Sequence, residues 1–252
     1  MLFALIAAWR IFMSVSNQPH LPIENQILAA LSATEYQRLV PYLERVNLSL
    51  HQVLYEADEP ITHVYFLGQG ITSLVCMLED GSTVEAGIVG KDGMVGLPVI
   101  WGGNRTTTMA FIQVAGSGMR MKVEHLIAEF KRGGELQSLL LHYTQALFTQ
   151  VTQTAACNRM HAIEDRLARW LLMVADRMQS NTYLLTQEFM AQMLGCRRAG
   201  ITVAAGTLSR AGIISYKRKN ITILNREDLE QASCECYSIV KNEYARLLGT
   251  PK

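Results

Sequence analysis

The chain has 252 residues, of which 49% are hydrophobic and 18% charged, and its formal net charge is +1. That length accommodates two domains, and that balance excludes a disordered, fibrous or collagen-like chain. Five irregularly scattered cysteines (Cys76, Cys157, Cys196, Cys234, Cys236) exclude a disulfide framework and suit a reducing, cytoplasmic setting.

The first segment, MLFALIAAWRIFMSV, is apolar but shorter than the ~20 residues of a membrane span. It also lacks the basic start and small-residue cleavage pattern of a secretory signal. Residues 1–23 read as a loosely held extension, or as sequence upstream of a start at Met13, and no membrane partner is expected. From 24 to 43, Ile27, Leu28, Leu31, Tyr36, Leu39 and Val40 fall at helical spacing. Ser32 with Glu35 three residues on predicts a capping box.

From Val46 to about Val123 the period changes to short alternating or β-branched runs. Asp-Glu-Pro, Gly-Gln-Gly, Glu-Asp-Gly and Gly-Ser-Gly separate them and read as turns, with LEDGST (78–83) as a hairpin signal. Many short strands of this kind predict an all-β sandwich or barrel. Inside it lies VGKDGMVGLPVIWGGNRTT (89–107), a glycine-rich stretch with an arginine, the composition of a phosphate-binding loop.

The helical period returns at Glu135 without a proline or glycine to interrupt it. Leu136, Leu140, Tyr143, Leu147, Val151 and Thr154 form a narrow seam along one face of a helix of ~25 residues, which predicts pairing with a second copy. After a break near Asn158–Ala162, IEDRLARWLLMVADRM predicts another helix that buries Ile163, Leu167, Trp170, Leu171 and Val174.

Charge then concentrates. Residues 1–160 carry 10 Lys/Arg against 13 Asp/Glu, whereas residues 183–226 carry seven basic residues against Glu188 alone. Within the basic module Thr186 is an N-cap for a short helix through Leu194, Gly195 makes a turn, and a second helix runs from about Arg197 to Arg210. Two short helices about such a turn are a helix-turn-helix, and IISYKRKNITIL beyond it reads as a basic-tipped hairpin, a wing. The second helix would enter the major groove with Arg197, Arg198 and Thr202 facing bases or phosphate. Lys217, Arg218 and Lys219 suit backbone phosphate, as do the hydroxyl and amide of Thr186 and Gln187. Double-stranded DNA is therefore the expected partner.

A β-rich domain, a long pairing helix and a C-terminal winged helix, in that order, resemble the CRP/FNR family of bacterial transcription regulators. The resemblance rests most on TQEFMAQMLGCRRAGITVAAGTLSRAGII and DGMVGLPVIWGGNRTT, and runs from about residue 30 to 226. It implies an α+β chain: an N-terminal β jelly roll like a cyclic-nucleotide-binding domain (24–134), a dimerisation helix (135–161) and a winged helix-turn-helix domain (162–252). It further implies a cytoplasmic homodimeric regulator that meets promoter DNA and RNA polymerase. Arg198 falls where a base-reading arginine of the family sits, but Ala199 and Val203 depart from the usual partners.

In the family's nucleotide pocket, Gly93 and Gly96 match the glycines and Arg105-Thr106 the phosphate pair, with Val151 and Thr152 contributed by the long helix. Met94 stands where a glutamate accepts from the ribose hydroxyl, and a thioether is a poor acceptor. That loss is worth roughly 1–3 kcal/mol, so the expectation is a degenerate pocket for some other effector or none, with a cyclic-nucleotide-responsive regulator as the alternative. No cofactor is expected. An iron–sulfur sensor of the family's type needs an N-terminal cysteine cluster, and no cysteine precedes Cys76. His51, His63 and His142 carry no haem motif. Cys234 and Cys236, two apart on an expected helix, do not face one side, and without a nearby His or second Cys pair they make a poor metal site. The remaining alternative, a β-barrel metal enzyme, needs two or three histidines and a carboxylate, and the β region holds only His51 and His63.

Overall fold

The structure, a computed structural model, describes residues 23–178 and 180–249. The apolar extension therefore lies outside the described residues, apart from Ile23. Two short helices open the chain, α1 (Gln26–Ala29) and α2 (Ala33–Leu39). Asn25 caps α1 with its side-chain oxygen while its amide donates to the carbonyls of Leu67 and Gly93, which pins the helix to the barrel. Ser32 caps α2 as its sequence predicts, accepting from the Glu35 N–H. The return half of the capping box is diverted. Glu35 instead accepts from the N–H groups of Glu135 and Leu136, and the Ser32 N–H donates to Glu135 at 2.6 Å. Two helices a hundred residues apart thus cap each other. Val40, the last residue of that helical spacing, is 41% exposed.

The β domain consists of β1 (Glu44–Leu48), β2 (Val53–Tyr55), β3 (His63–Met77), β4 (Thr83–Val89), β5 (Met94–Val95) and β6 (Thr108–Lys122). β3 and β6 pair antiparallel from His63–Lys122 to Cys76–Thr108, with register shifts between Leu67 and Thr72. At one end they carry β1 and β5, at the other β2 and β4, so the spatial orders are β1-β6-β3-β5 and β2-β6-β3-β4. These are the two halves of a jelly roll. Gly-Gln-Gly and Gly-Ser-Gly are accordingly bulges within two long strands, not turns between short ones. Gly70 has φ +89°, and a Cβ at Gly116 would run into the Gln69 carbonyl. The LEDGST hairpin forms with a five-residue loop, closed by Leu78 N–H to Ser82 at 2.9 Å and by Asp80 accepting from Ser82.

After α3 (Val123–Lys131), the helix α4 runs from Glu135 to Met160. Its expected pairing seam is spent inside the chain: Leu136, Leu140, Tyr143 and Leu147 are buried against the barrel. Val151 and Thr154 are half-buried. The break falls at His161, whose extended backbone stops the helix, and α5 (Ile163–Met178) follows. The C-terminal part holds β7 (Thr182–Leu184), α6 (Gln187–Met193), α7 (Arg198–Arg210), β8 (Ile214–Lys217), β9 (Asn220–Ile223), α8 (Arg226–Gln231) and α9 (Cys236–Leu248). One core lies inside the jelly roll. A second joins α5, α6 and α7 to Ile71, Val75, Ile88 and Phe111 of the β domain, so the lower half of the sheet is covered on both faces.

Candidate nucleic-acid interface and effector cavity

Thr186 caps α6, its hydroxyl accepting from the Phe189 N–H at 3.0 Å. Gly195, at φ +56°, lets the chain reverse into α7, which buries Ile201, Ala204, Ala205 and Leu208. That stripe leaves Arg198, Ala199, Thr202 and Val203 on the exposed side of α7, with Arg197 exposed just before it. Thr202 donates to the Gln187 amide oxygen at 2.8 Å, which locks the N-termini of the two helices together and leaves the Gln187 NH₂ free to donate outward. Val203 is 59% exposed in the middle of this surface, an apolar contact of the kind that a thymine methyl accepts.

The wing is a two-residue hairpin in which Lys217 pairs with Asn220, and Arg218 and Lys219 form the tip with φ of 49° and 74°. Both tip residues occupy the left-handed region that Asn or Gly normally fills, so the sequence accepts backbone strain to hold two cations there. Among the described residues, Arg197, Arg198, Lys217, Arg218 and Lys219 have no carboxylate partner within salt-bridge distance. Arg226 differs. It is bound to Asp176 at 2.6 Å and to Glu230 at 3.0 Å, so it belongs to the scaffold and not to the basic face.

The glycine-rich stretch adjoins a cavity of about 510 Å³ between the barrel and α4. Of the seven residues expected to form the effector pocket, Met94, Gly96, Thr106 and Val151 line it, and Gly93, Arg105 and Thr152 do not. Gly93 faces the fully buried Tyr143, whose ring and hydroxyl fill the space a Cβ would need. Arg105 is exposed, and the Thr152 hydroxyl donates back to the Phe148 carbonyl at 3.0 Å. Among the described residues no charged side chain lines the cavity; its polar side-chain groups are the hydroxyls of Tyr55, Thr106, Thr108 and Thr144, the Trp101 ring N–H and the Cys76 thiol. Trp101 and Pro98 sit at its wall as well, and Phe148, 67% exposed, closes it from the helix.

The same stretch has a second role that its composition hides. Asp92 pairs with Arg177 of α5 at 2.9 Å, and the Arg177 guanidinium lies 5.4 Å over the Tyr244 ring of α9. Next to it Glu85 of β4 accepts from the Trp170 indole at 2.7 Å. Burial pushes the Glu85 carboxyl up to about 7. These contacts tie the β domain to α5 and α9, and α5 in turn shares a core with α6 and α7. Neither pair had a sequence signal, because each joins residues 85 apart. Cys234 and Cys236 are also not as expected: Cys157 and His161 converge on them.

A compact winged helix with an unneutralised basic face, joined to a jelly roll, defines a DNA-binding transcription regulator. Its type follows from comparison. The Crp-like helix-turn-helix domain family matches residues 165–232. A comparison with curated proteins gives no match. Among solved structures, FixK2 from Bradyrhizobium japonicum superposes with a TM-score of 0.67 at 18% identity over 76% of this chain and 98% of its own. A CRP-family transcriptional regulator from Thermus thermophilus gives 0.62 at 18% identity, over 75% of this chain and 96% of its own. The c-di-GMP-responsive global regulator CLP of Xanthomonas campestris gives 0.62 at 14% identity over 76% and 99%. The chain thus carries a Crp-like helix-turn-helix domain and shares the fold of solved CRP-family regulators over most of its length. Among the described residues no helix is long and apolar enough to cross a membrane.

Proposed function

We propose that this regulator acts in the cytoplasm as a homodimer, reads a two-fold operator, contacts RNA polymerase there, and takes an apolar effector in its barrel cavity. The observation that carries the effector reading is the cavity wall: Met94 is fully buried within it, Arg105 is outside it, and among the described residues no cation faces it. A cyclic phosphate there would be a buried charge without a partner, which costs several kcal/mol. An apolar molecule needs no such partner and gains from every buried CH₂.

Dimerisation is assigned to a different face of α4 from the buried seam. Leu141 and Phe148 are 50% and 67% exposed and seven residues apart, and Ala155, also exposed, continues the stripe by another seven. That heptad spacing suits a parallel two-helix contact. Because Phe148 and Val151 also bound the cavity, an occupant would press on the helix that carries the pairing face. Two copies would place their recognition helices in successive major grooves about 34 Å apart. The reading includes no catalysis: a metal-dependent enzyme of this fold would need imidazoles and a carboxylate at the cavity, and the described residues lining it offer hydroxyls, an indole and a thiol.

The test combines two measurements. In a thermal-shift series, medium-chain alkanols raise the midpoint while cyclic AMP, cyclic GMP and cyclic di-GMP leave it unchanged; saturable stabilisation by any of the three nucleotides refutes the effector reading. Fluorescence anisotropy on duplexes from the upstream region of its own gene measures operator binding. Arg198→Ala lowers discrimination against other sequences by roughly 1–3 kcal/mol while sparing non-specific binding. Loss of both to the same degree would make Arg198 a phosphate contact.

A further inference from the structure

The end of α4 carries a second site, which DNA binding and the cavity leave unexplained. The Cys157 and Cys234 sulfurs are 3.4 Å apart, and Cys236 Sγ lies 3.7 Å from His161 Nδ1. One ligand atom from each of the four residues lies within 4.8 Å of all the others. Cys157 stands on the last turn of α4 and His161 is the first residue beyond it, while Cys234 precedes α9 and Cys236 opens it. Helical spacing therefore does not separate the last two: Cys234 is not in the helix, and both thiols point to one centre.

We propose that Cys157, His161, Cys234 and Cys236 bind one soft divalent cation of the zinc class. Three thiolates and an imidazole are a donor set that closes a tetrahedral structural zinc site. With metal–sulfur bonds of about 2.3 Å, such a site sets its sulfurs about 3.8 Å apart, so the cluster needs shifts of less than about an ångström to close on an ion. The surroundings are built for it in two ways. Glu235 Oε2 lies 3.3 Å from His161 Nε2, so the ring donates to a carboxylate on one side and presents Nδ1 to the sulfurs on the other. That outer carboxylate is the usual partner of a metal-bound histidine. The three cysteines also form a buried cluster of their own, outside both apolar cores, at 0%, 8% and 2% exposure. Thiols that served packing alone would be shared among the apolar side chains of those cores.

On binding, each coordinating thiol gives its proton to solvent and no electron is exchanged, so no oxidant is required. The ion would join the end of α4 and the break at His161 to the start of α9. α9 is held along α4 by Gln145–Glu243 at 3.0 Å and Gln150–Tyr244 at 2.8 Å. The metal would thereby fasten the hinge between the barrel helix and the DNA-binding part.

The experiment uses the tag-free full-length chain, purified under reducing conditions. Elemental analysis is expected to find about one zinc per chain. Exchange with Co²⁺ is expected to produce the visible d–d and thiolate charge-transfer bands of a tetrahedral sulfur site. Cys236→Ala loses the ion, the Cys76→Ser/Cys196→Ser double variant keeps it, and Glu235→Gln weakens Zn²⁺ affinity roughly ten- to a hundred-fold. A reduced chain that takes up neither Zn²⁺ nor Co²⁺ overturns the proposal. A Cys157–Cys234 disulfide that leaves no metal uptake after reduction does so too, as does full metal retention by Cys236→Ala. Should that variant fail to fold, the Co²⁺ spectrum of the unaltered chain decides alone.

Discussion

Replacing Asp92 by alanine takes the carboxylate partner from a buried guanidinium. The Arg177 side chain is 6% exposed and that of Asp92 18%, so the pair lies much closer to the buried limit than to the surface one. A surface pair is worth ~0–1 kcal/mol, whereas breaking a buried pair from one side costs ~3–5 kcal/mol because the remaining charge is stranded. Two contacts soften the loss, a hydrogen bond from Arg177 to the Met173 carbonyl at 3.2 Å and the Tyr244 ring 5.4 Å away. The expected cost is therefore about 3 kcal/mol for Asp92→Ala, and about half that for Asp92→Asn, whose amide oxygen still accepts. Urea unfolding at one fixed protein concentration reads this as a drop of about 1 M in midpoint, for a slope near 3 kcal/mol/M. Asp92→Ala combined with Arg177→Met should recover most of the loss. A cost below about 1 kcal/mol, or additive losses in the double variant, would refute a buried interdomain pair.

At the wing, Arg218→Asn with Lys219→Gly removes two left-handed cationic residues; the chain should gain roughly 1 kcal/mol or more of stability while its DNA affinity falls. The slope of log affinity against log salt should become shallower by about 2 per wing, roughly 4 for a dimer on both half-sites, and an unchanged slope would remove the tip from the interface. Glu85 sets a pH dependence of stability: burial raises its carboxyl from 4.5 to about 7. The native chain keeps that proton where the unfolded chain has lost it. Its contribution is thus full below about 4.5, declines up to about 7 and is flat beyond, a loss on the order of 3 kcal/mol. Glu85→Gln still accepts from Trp170 and should flatten the curve; equal slopes for both proteins in pH-dependent urea titrations would contradict this. Gly93→Ala drives a methyl into the Tyr143 ring and hydroxyl, so thermal unfolding should show a loss of ~1–3 kcal/mol. Tyr143→Phe deletes an oxygen without a hydrogen-bond partner and should change stability by less than about 1 kcal/mol. If Gly93→Ala left stability intact and abolished ligand binding, Gly93 would face the cavity after all.

Much of this protein was legible locally. The Ser32 and Thr186 caps, the glycine turn at Gly195, the apolar stripe of α7 and the concentration of cations from Arg197 to Lys219 each follow from residues within a few positions of one another. Helix type, the winged motif and the basic surface are set at that range, because capping, periodicity and net charge are short-range properties. What an apolar seam packs against is not. The spacing of Leu136, Leu140, Tyr143 and Leu147 is the same whether the partner is a barrel or a second helix, and here it is the barrel. The glycines of β3 and β6 likewise look the same in a bulge as in a turn, and the long pairing register makes them bulges.

The glycine-rich stretch divides along the same line. Its residue types suggested a phosphate loop, but a phosphate site is a convergence of groups, and the fold sends Arg105 outward, turns Gly93 to Tyr143 and gives Asp92 to Arg177. The four-ligand cluster shows the reverse case. Cys157 and His161 lie 77 and 75 residues from their nearest partners Cys234 and Cys236, and neither segment alone holds a complete donor set. By itself the sequence determined that this chain carries a basic winged helix behind a β domain, since local pattern and charge suffice for both. The tertiary structure alone decided which side chains share a cavity, a buried ion pair or a metal-binding geometry, because each depends on distances between residues far apart in the chain.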